Sequence, residues 1–544
     1  MNIKEQLEKD LGNLVSASSI DGCDYQCNAA FQIAKQEKTS PLQIAERIAS
    51  NFKSKIATAT VSPPGFVNFA ITDSTLETTA NNILKTGKLP LAKQTHRTIF
   101  FDYGGANVAK ELHIGHLRPP IIGEALKRTF MAFGHKTVSD TFLGDWGLQM
   151  GLVLAQLMDE GYIKGDKFVK EVTLDTFNVL YPAASARSKT EPDFRARCEE
   201  ITVKLQRKEQ PYFDLWKHIR KISADKIQQN YLTLGCTFDT YNGESHAQPY
   251  IEQVLALARK NGAYESDGCL ILDVKTDTDT GPMPPIMLKK SNEGDLYATT
   301  DLATVFYRYN DHQPDEFIYV ADARQELHFE QVFRAAKQIR AVSPNTKFKH
   351  ASCGTMNGLD GKPFKTRAGG IIKLEDIINL VTEAAMKRLT RGAHDQAQKI
   401  GLAALKFADL SNNVRKDYVF DVDKFTAFEG KTGPYLLYTV ARINSILKKT
   451  SAANATKGEL TVTDKNRKII MSIIKLADSY NLATQNYTLN GIIDATYEVA
   501  AAFNLFYSQE KIADNENHLA LARLVRMSLL FALDTLAIQP VDEM

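Results

Sequence analysis

The sequence predicts a multidomain α/β protein: a central domain built on a parallel sheet, an α+β domain before it, and an all-α bundle after it. Three observations predict this. At 544 residues the chain is too long for one hydrophobic core. Short apolar strands alternate with helical periodicity over residues 98–143 and again over 317–352, and strands separated in this way pair in parallel. From about Leu374 onward the apolar residues recur almost wholly at helical spacing. The expected boundaries are 1–90, 91–385 with an insertion at about 155–289, and 386–544.

Hydrophobic residues make up 44% of the chain and charged residues 24%, ordinary values for a globular protein. The 66 Lys and Arg nearly balance the 64 Asp and Glu, so a nucleic-acid partner has to be held by local basic patches. The first ten residues lack the apolar core of a signal peptide, and no uncharged run reaches membrane-spanning length, which predicts a cytoplasmic protein without a membrane partner. Of the six cysteines only Cys23 and Cys27 lie close together, with no second ligand pair at zinc spacing. All six are expected to be reduced and structural, and no metal site is expected.

In the N-terminal part, Ile3, Leu7, Leu11, Leu14 and Val15 mark one helix, residues 25–36 a second, and Ser40-Pro41 the start of a third. There Ser40 is the expected N-cap and Ile44, Ile48 and Phe52 share one face. Residues 56–62 and 66–71 alternate around Pro63-Pro64-Gly65, which reads as a hairpin. On it, Phe66 and Asn68 are either an exposed aromatic and amide suited to an unpaired base, or a core residue and a solvated one. Residues 85–97 read as a linker.

In the central part, Thr98-Ile99-Phe100-Phe101 is a buried strand. Ile121, Ile122, Ala125, Leu126, Phe130 and Phe133 then form a helix that Gly134 ends, and a second strand follows over 136–143. The helix begins at His113-Ile114-Gly115-His116, so its free N–H groups and positive dipole end face whatever lies beyond the strand, and phosphate is the natural guest. An isolated His-x-x-His serves equally as a metal pair or as polar turn residues; here Gly115 allows close backbone approach. The insertion carries expected helices at 194–208 and 210–232 and a strand pair near 269–274, with no motif of its own chemistry. After it come Leu296-Tyr297-Ala298-Thr299-Thr300-Asp301, with Thr300 or Asp301 as an expected helix cap, a strand at 317–321, a helix through Val332, Ala336 and Ile339, and a strand at 347–352. A ligand then belongs at the carboxyl ends of the strands. The basic loop Gly361-Lys362-Pro363-Phe364-Lys365-Thr366-Arg367 is either a solvated loop or a clamp for a triphosphate. In the helical part, Tyr435, Tyr438 and Arg442 share one helix face, either to stack on bases or as a core face with a paired arginine.

His113-Ile114-Gly115-His116 resembles the HIGH element of class I aminoacyl-tRNA synthetases. Asn107-Val108-Ala109-Lys110, Gly144-Asp145-Trp146-Gly147-Leu148-Gln149, the basic loop and Phe428-Glu429-Gly430-Lys431-Thr432-Gly433-Pro434-Tyr435 follow in an order that resembles the arginyl-tRNA synthetase family over nearly the whole chain. The resemblance implies a split Rossmann-type catalytic domain, an N-terminal domain reading the D-loop at the tRNA elbow through Phe66 and Asn68, and a bundle gripping the anticodon arm through Tyr435, Tyr438 and Arg442. It implies an arginine pocket of Asp102, Asn107, Tyr297, Asp301 and Gln325, with His328 close by. ATP with Mg2+ would meet His113, Gly115, His116, Lys362 and Lys365, and catalysis would fall to Lys110, His113, His116, Lys365 and Arg367. Its substrates would be L-arginine, ATP and tRNA(Arg), with a monomer expected.

Chemistry supports that pocket, because a planar, permanently charged guanidinium requires carboxylates and a tyrosine, and lysine would leave carboxylate oxygens unpaired. Two positions depart from the family's pattern. Asp102 stands where glutamate is expected, a shorter carboxylate that would reach the substrate through water or act on its α-amino group. Pro363 stands where the class motif KMSKS has its first lysine. Family members with this loop resemble one another in a lysine just before the histidines, where Lys110 stands, and the cation needed at the phosphates can come from either side of the cleft. The rival readings are a tRNA-independent adenylating nucleotidyltransferase of the same fold and a non-catalytic synthetase-like RNA-binding protein.

Overall fold

The computed structural model describes residues 2–18, 20, 22–290, 296–362, 372–389, 394–449, 458–513 and 515–544. They form two compact units. One comprises Met1–Thr95, Val381–Asn413 and Val422–Met544, and the other His96–Leu380 with Val414–Asp421. The units divide the chain elsewhere than the sequence boundaries, since 414–421 returns to the second unit.

In the first unit the helix Ile3–Leu11 is capped by Asn2, whose side chain accepts from the Glu5 N–H, and it ends at Gly12 with φ of 69°. This left-handed residue stops the helix before the expected Leu14, which is exposed. Residues 25–36 are not one helix. Tyr25–Cys27 is a strand paired with Phe66–Ile71, and the helix is Ala29–Glu37. Ladder bonds and the burial of Tyr25 and Cys27 outweigh the local helical pattern. The expected hairpin is present as Ala57–Ser62 against Phe66–Ile71, in a four-stranded antiparallel sheet with Ser16–Ala17 at the far edge. Ser40 holds the N-cap position of Pro41–Asn51 with extended backbone, but its side chain makes no capping bond. The helices His394–Ser411, Gly433–Lys449, Asp464–Asn486, Asn490–Gln509 and Glu516–Thr535 form the all-α part.

The second unit is organised by a four-stranded parallel sheet in the order Lys347–Cys353, Glu316–Asp322, Thr98–Tyr103, Lys136–Asp140. The chain leaves Thr98–Tyr103 toward one edge, through the helix Arg118–Ala132, and returns on the other side at Glu316–Asp322. The crevice between these two central strands is therefore the switch point where such sheets bind ligands. Between the halves lie the helices Leu148–Asp159, Leu174–Thr190, Pro192–Gln206, Tyr212–Thr233 and Ile251–Lys260. A three-stranded antiparallel sheet follows, Tyr264–Ser266, Cys269–Leu272 and Ile286–Lys289, where the sequence predicted only a strand pair. The helix Tyr297–His312 is capped by Leu296, so Thr300 and Asp301 lie inside its first turns rather than at its cap.

Candidate active site

At the carboxyl end of Thr98–Tyr103 the chain turns through Gly104, φ 75°, whose carbonyl accepts a 2.5 Å bond from the Tyr231 hydroxyl. Ala106–Asn107 pairs in parallel with Leu143–Gly144, and Ala109 adopts φ of 60° with its N–H on Ser223 Oγ at 3.0 Å. The histidines follow. His113 Nδ1 accepts from the Gly115 N–H at 3.1 Å, and His116 Nδ1 accepts from the His113 N–H at 3.1 Å. Two backbone N–H groups expected to face the ligand are thus taken by the imidazoles, and a 3₁₀ turn, Ile114–His116, precedes the α-helix.

These bonds fix the tautomer. A backbone N–H only donates, so each Nδ1 is unprotonated and each neutral ring carries its proton on Nε2. Burial lowers the His116 pKa to about 3, helped by His113 and Lys110, and burial followed by Lys110 lowers that of His113. Both rings are therefore neutral donors in the physiological range.

A cavity of about 680 Å³ opens here. Among its lining residues are His113, Gly115 and His116, together with Asp102, Asn107, Tyr297, Asp301, Gln325 and His328. Asp301 Oδ2 lies 2.6 Å from His328 Nε2, a contact that raises the His328 pKa. Asp102 Oδ2 accepts from Arg308 Nη1 at 2.5 Å, and burial still pushes the Asp102 carboxyl up to about 6. Arg118 Nη1 bonds the Lys416 carbonyl at 3.0 Å, Thr355 N–H bonds Asp417 Oδ1 at 2.6 Å and Tyr418 N–H bonds the Thr355 carbonyl at 3.1 Å, so the returning segment backs the wall at Gly354–Met356.

The family model for tRNA synthetases class I (R), catalytic domain, matches residues 79–422, that for the DALR anticodon binding domain 436–544, and that for the arginyl tRNA synthetase N terminal domain 2–71. The arginine–tRNA ligase of Alkaliphilus oremlandii is 40% identical over 528 residues, covering 93% of this chain and 90% of that protein. The chain belongs to the arginyl-tRNA synthetase family. A second member, the arginine–tRNA ligase of Agathobacter rectalis, is 36% identical across 99% of this chain and 96% of its own length. The arginyl-tRNA synthetase structures of Plasmodium falciparum (TM-score 0.87, 23% identity, 100% of this chain and 99% of that one) and Thermus thermophilus (0.82, 20%, 100% of both) share the fold.

Against the site expected of an arginyl-tRNA synthetase, Asp102, Asn107, His113, Gly115, His116, Tyr297, Asp301 and Gln325 meet in one cavity. Lys110 and Lys362 are not among its lining residues. The Lys110 ammonium sits 4.7 Å over the ring of Tyr181, and Lys365 and Arg367 fall outside the described residues, with the rest of 363–371. Asn68 is buried, with Oδ1 accepting from Gln26 Nε2 at 2.8 Å and Nδ2 donating to Ser62 Oγ at 2.9 Å, while Phe66 meets Phe31 edge-on at 5.0 Å. Tyr435, Tyr438 and Arg442 are half-buried on Gly433–Lys449, where the Arg442 guanidinium lies 4.6 Å over Tyr438 and 4.8 Å over Tyr507.

Sequence reasoning missed Glu244 and Arg308. Glu244 lies in the insertion read as having no chemistry of its own. Backbone bridges from Thr240 to Asp140 and from Gly243 to Leu143 bring it into the cavity, where burial, then Asp145 and Asp301, raise its carboxyl to about 7. A lone glutamate gives no local signal.

Proposed function

We propose that this chain ligates L-arginine to tRNA(Arg) in two steps at this cavity, as a cytoplasmic monomer. The arginine carboxylate attacks the α-phosphorus of ATP, which enters with Mg2+ as the substrate's counter-ion, and the bond to the β-phosphate breaks to release pyrophosphate. The terminal ribose hydroxyl of the tRNA then attacks the adenylate carbonyl, and AMP leaves with the aminoacyl group transferred. His113 and His116 donate through Nε2–H to the phosphate oxygens that gain charge, as neutral donors that need no proton transfer. Lys110, with Lys362, Lys365 and Arg367, neutralises the departing pyrophosphate. Asp102 and Asp301 receive the guanidinium, Asn107, Tyr297 and Gln325 complete the pocket, Phe66 and Asn68 serve the tRNA elbow, and Tyr435, Tyr438 and Arg442 the anticodon arm.

The observation that carries this reading is one cavity at the switch point that gathers two neutral imidazole donors and the carboxylates of Asp102 and Asp301 among its lining. The test is arginine-dependent ATP–pyrophosphate exchange, with and without tRNA. Exchange that requires arginine supports it. Exchange driven by another small molecule, or none under either condition with tRNA binding retained, overturns it.

A further inference from the structure

Two of the cavity's carboxylates, Asp102 and Asp301, are each half-occupied. Asp301 gives Oδ2 to His328, and Asp102 gives Oδ2 to Arg308. Among the described residues no hydrogen bond reaches Oδ1 of either. Arg308 is almost fully buried on the helix that carries Asp301, seven residues on and therefore on the same face. Its second arm, Nη2, donates to Asp140 Oδ2 at 2.7 Å, and Asp140 Oδ1 accepts the Asn242 N–H at 3.0 Å. Asp102 and Asp140 are register partners on adjacent strands, so the rigid guanidinium fork spans both. Phe100 lies 4.7 Å beneath it, and Tyr319 Oη is 3.4 Å from Nη1.

We propose that Arg308 is a positioning residue for arginine selection: anchored on Asp140, it holds one oxygen of Asp102 so that only the other is presented to the substrate. This rests on the arginine-pocket reading above. A buried carboxylate with both oxygens free would rotate to chelate any cation, a lysine ammonium included. With one oxygen fixed on each, Asp102 from a strand and Asp301 from a helix each offer a single acceptor, which suits a fork of N–H donors and poorly suits a point charge. The charged groups facing Asp102 are Arg308 and Asp301 from the helix and Asp140 from the neighbouring strand, with the Tyr319 hydroxyl beside the Arg308 arm. Arg308 opposes the effect of burial on Asp102 and Asp140 adds to it.

The test is pyrophosphate exchange by the full chain with tRNA present, measuring KM for arginine and for ATP and the pH profile of kcat/KM for arginine. Asp102→Asn should raise the arginine KM about tenfold or more, the effect of one charge-assisted hydrogen bond, with the ATP KM unchanged. Arg308→Gln should raise the arginine KM by a similar factor and move the acid limb of the profile to higher pH. Asp140→Asn keeps an acceptor for Asn242 and leaves Arg308 paired with Asp102. It should move the limb to lower pH, because a neighbouring negative charge is gone.

Opposite displacements are what positioning requires and what general damage does not produce. Limbs that stay fixed or move together, or an ATP KM that rises as much as the arginine KM, overturn the proposal. If Arg308→Gln does not fold, the direction of the Asp140→Asn shift decides. An arginine KM unchanged in Asp102→Asn defeats the pocket reading itself, whereas a raised KM there with none in Arg308→Gln defeats the positioning role alone.

Discussion

His328 Nε2 and Asp301 Oδ2 are 2.6 Å apart, a hydrogen bond between two helices that holds a cavity-lining carboxylate at one oxygen. Replacing Asp301 by Asn removes the charge and puts N–H donors where the proposed arginine pocket requires acceptors. The arginine KM should rise about 10- to 100-fold, the scale of losing a charge-assisted acceptor, with the ATP KM little changed. Steady-state exchange kinetics in both substrates check this. Equal rises would make Asp301 scaffolding.

His116 is held by its Nδ1 and kept neutral by burial. His116→Ala should lower the exchange rate by about a hundredfold, the usual effect of losing one transition-state donor, while tRNA affinity in a filter-binding assay stays near wild type. The rate should also show no titration assignable to His116 between pH 5 and 8, since its pKa lies near 3. Near-normal exchange with lost tRNA binding would remove it from the phosphate site.

What the sequence made legible was local. The strand Thr98–Tyr103, the helix after the histidines and the hairpin Ala57–Ser62 with Phe66–Ile71 carry their periodicity within a few residues. Tyr25–Cys27 was misread because its strand pairing is with residues some forty positions on, which no local pattern records. Arg308 was invisible for the same reason, its carboxylate partners lying 206 and 168 residues earlier in the chain. Glu244 enters the site only because the insertion folds back on Asp140 and Leu143. The tetrapeptide pointed to phosphate, but that its rings consume the turn's N–H groups emerged only from the backbone path.

Asp478 in the helical part accepts from the Tyr25 hydroxyl at 2.5 Å and from Asn2 Nδ2 at 3.2 Å, and burial raises its carboxyl to about 6. An unfolded chain would hold the same group near 4. The folded state therefore binds more proton in between, and this contribution to stability is full below about pH 4 and lost as pH rises through about 6. Asp478→Asn should remove that dependence. Melting curves from pH 4 to 7 should show the wild type losing on the order of 2–3 kcal/mol relative to the variant. A constant difference across the range would mean the carboxyl is not raised.

Lys110 bears the most distinctive expectation of the phosphate side, because the class motif's first lysine is replaced by Pro363. Its ammonium rests 4.7 Å over the ring of Tyr181 on Leu174–Thr190, and it adds to the effect of burial, the main cause of the lowered pKa values of both histidines. Lys110 is thus ordered by a cation–π contact and, among the described residues, is held in no ion pair. Such a contact is worth about 0.5–1 kcal/mol at an open site, weak enough for phosphate to win the ammonium when ATP arrives. On the proposed role of Lys110 at the phosphates, Lys110→Ala should lower the exchange rate by about a hundredfold or more, the scale of losing a cation that stabilises developing charge. Tyr181→Leu removes only the ordering and should cost about two- to fivefold in kcat, with the arginine KM unchanged. Tyr181→Phe keeps the ring face and should restore wild-type rates, which separates the contact from any role of the hydroxyl. A leucine variant as fast as wild type, or a phenylalanine variant as slow as leucine, would show that the ring does not serve Lys110.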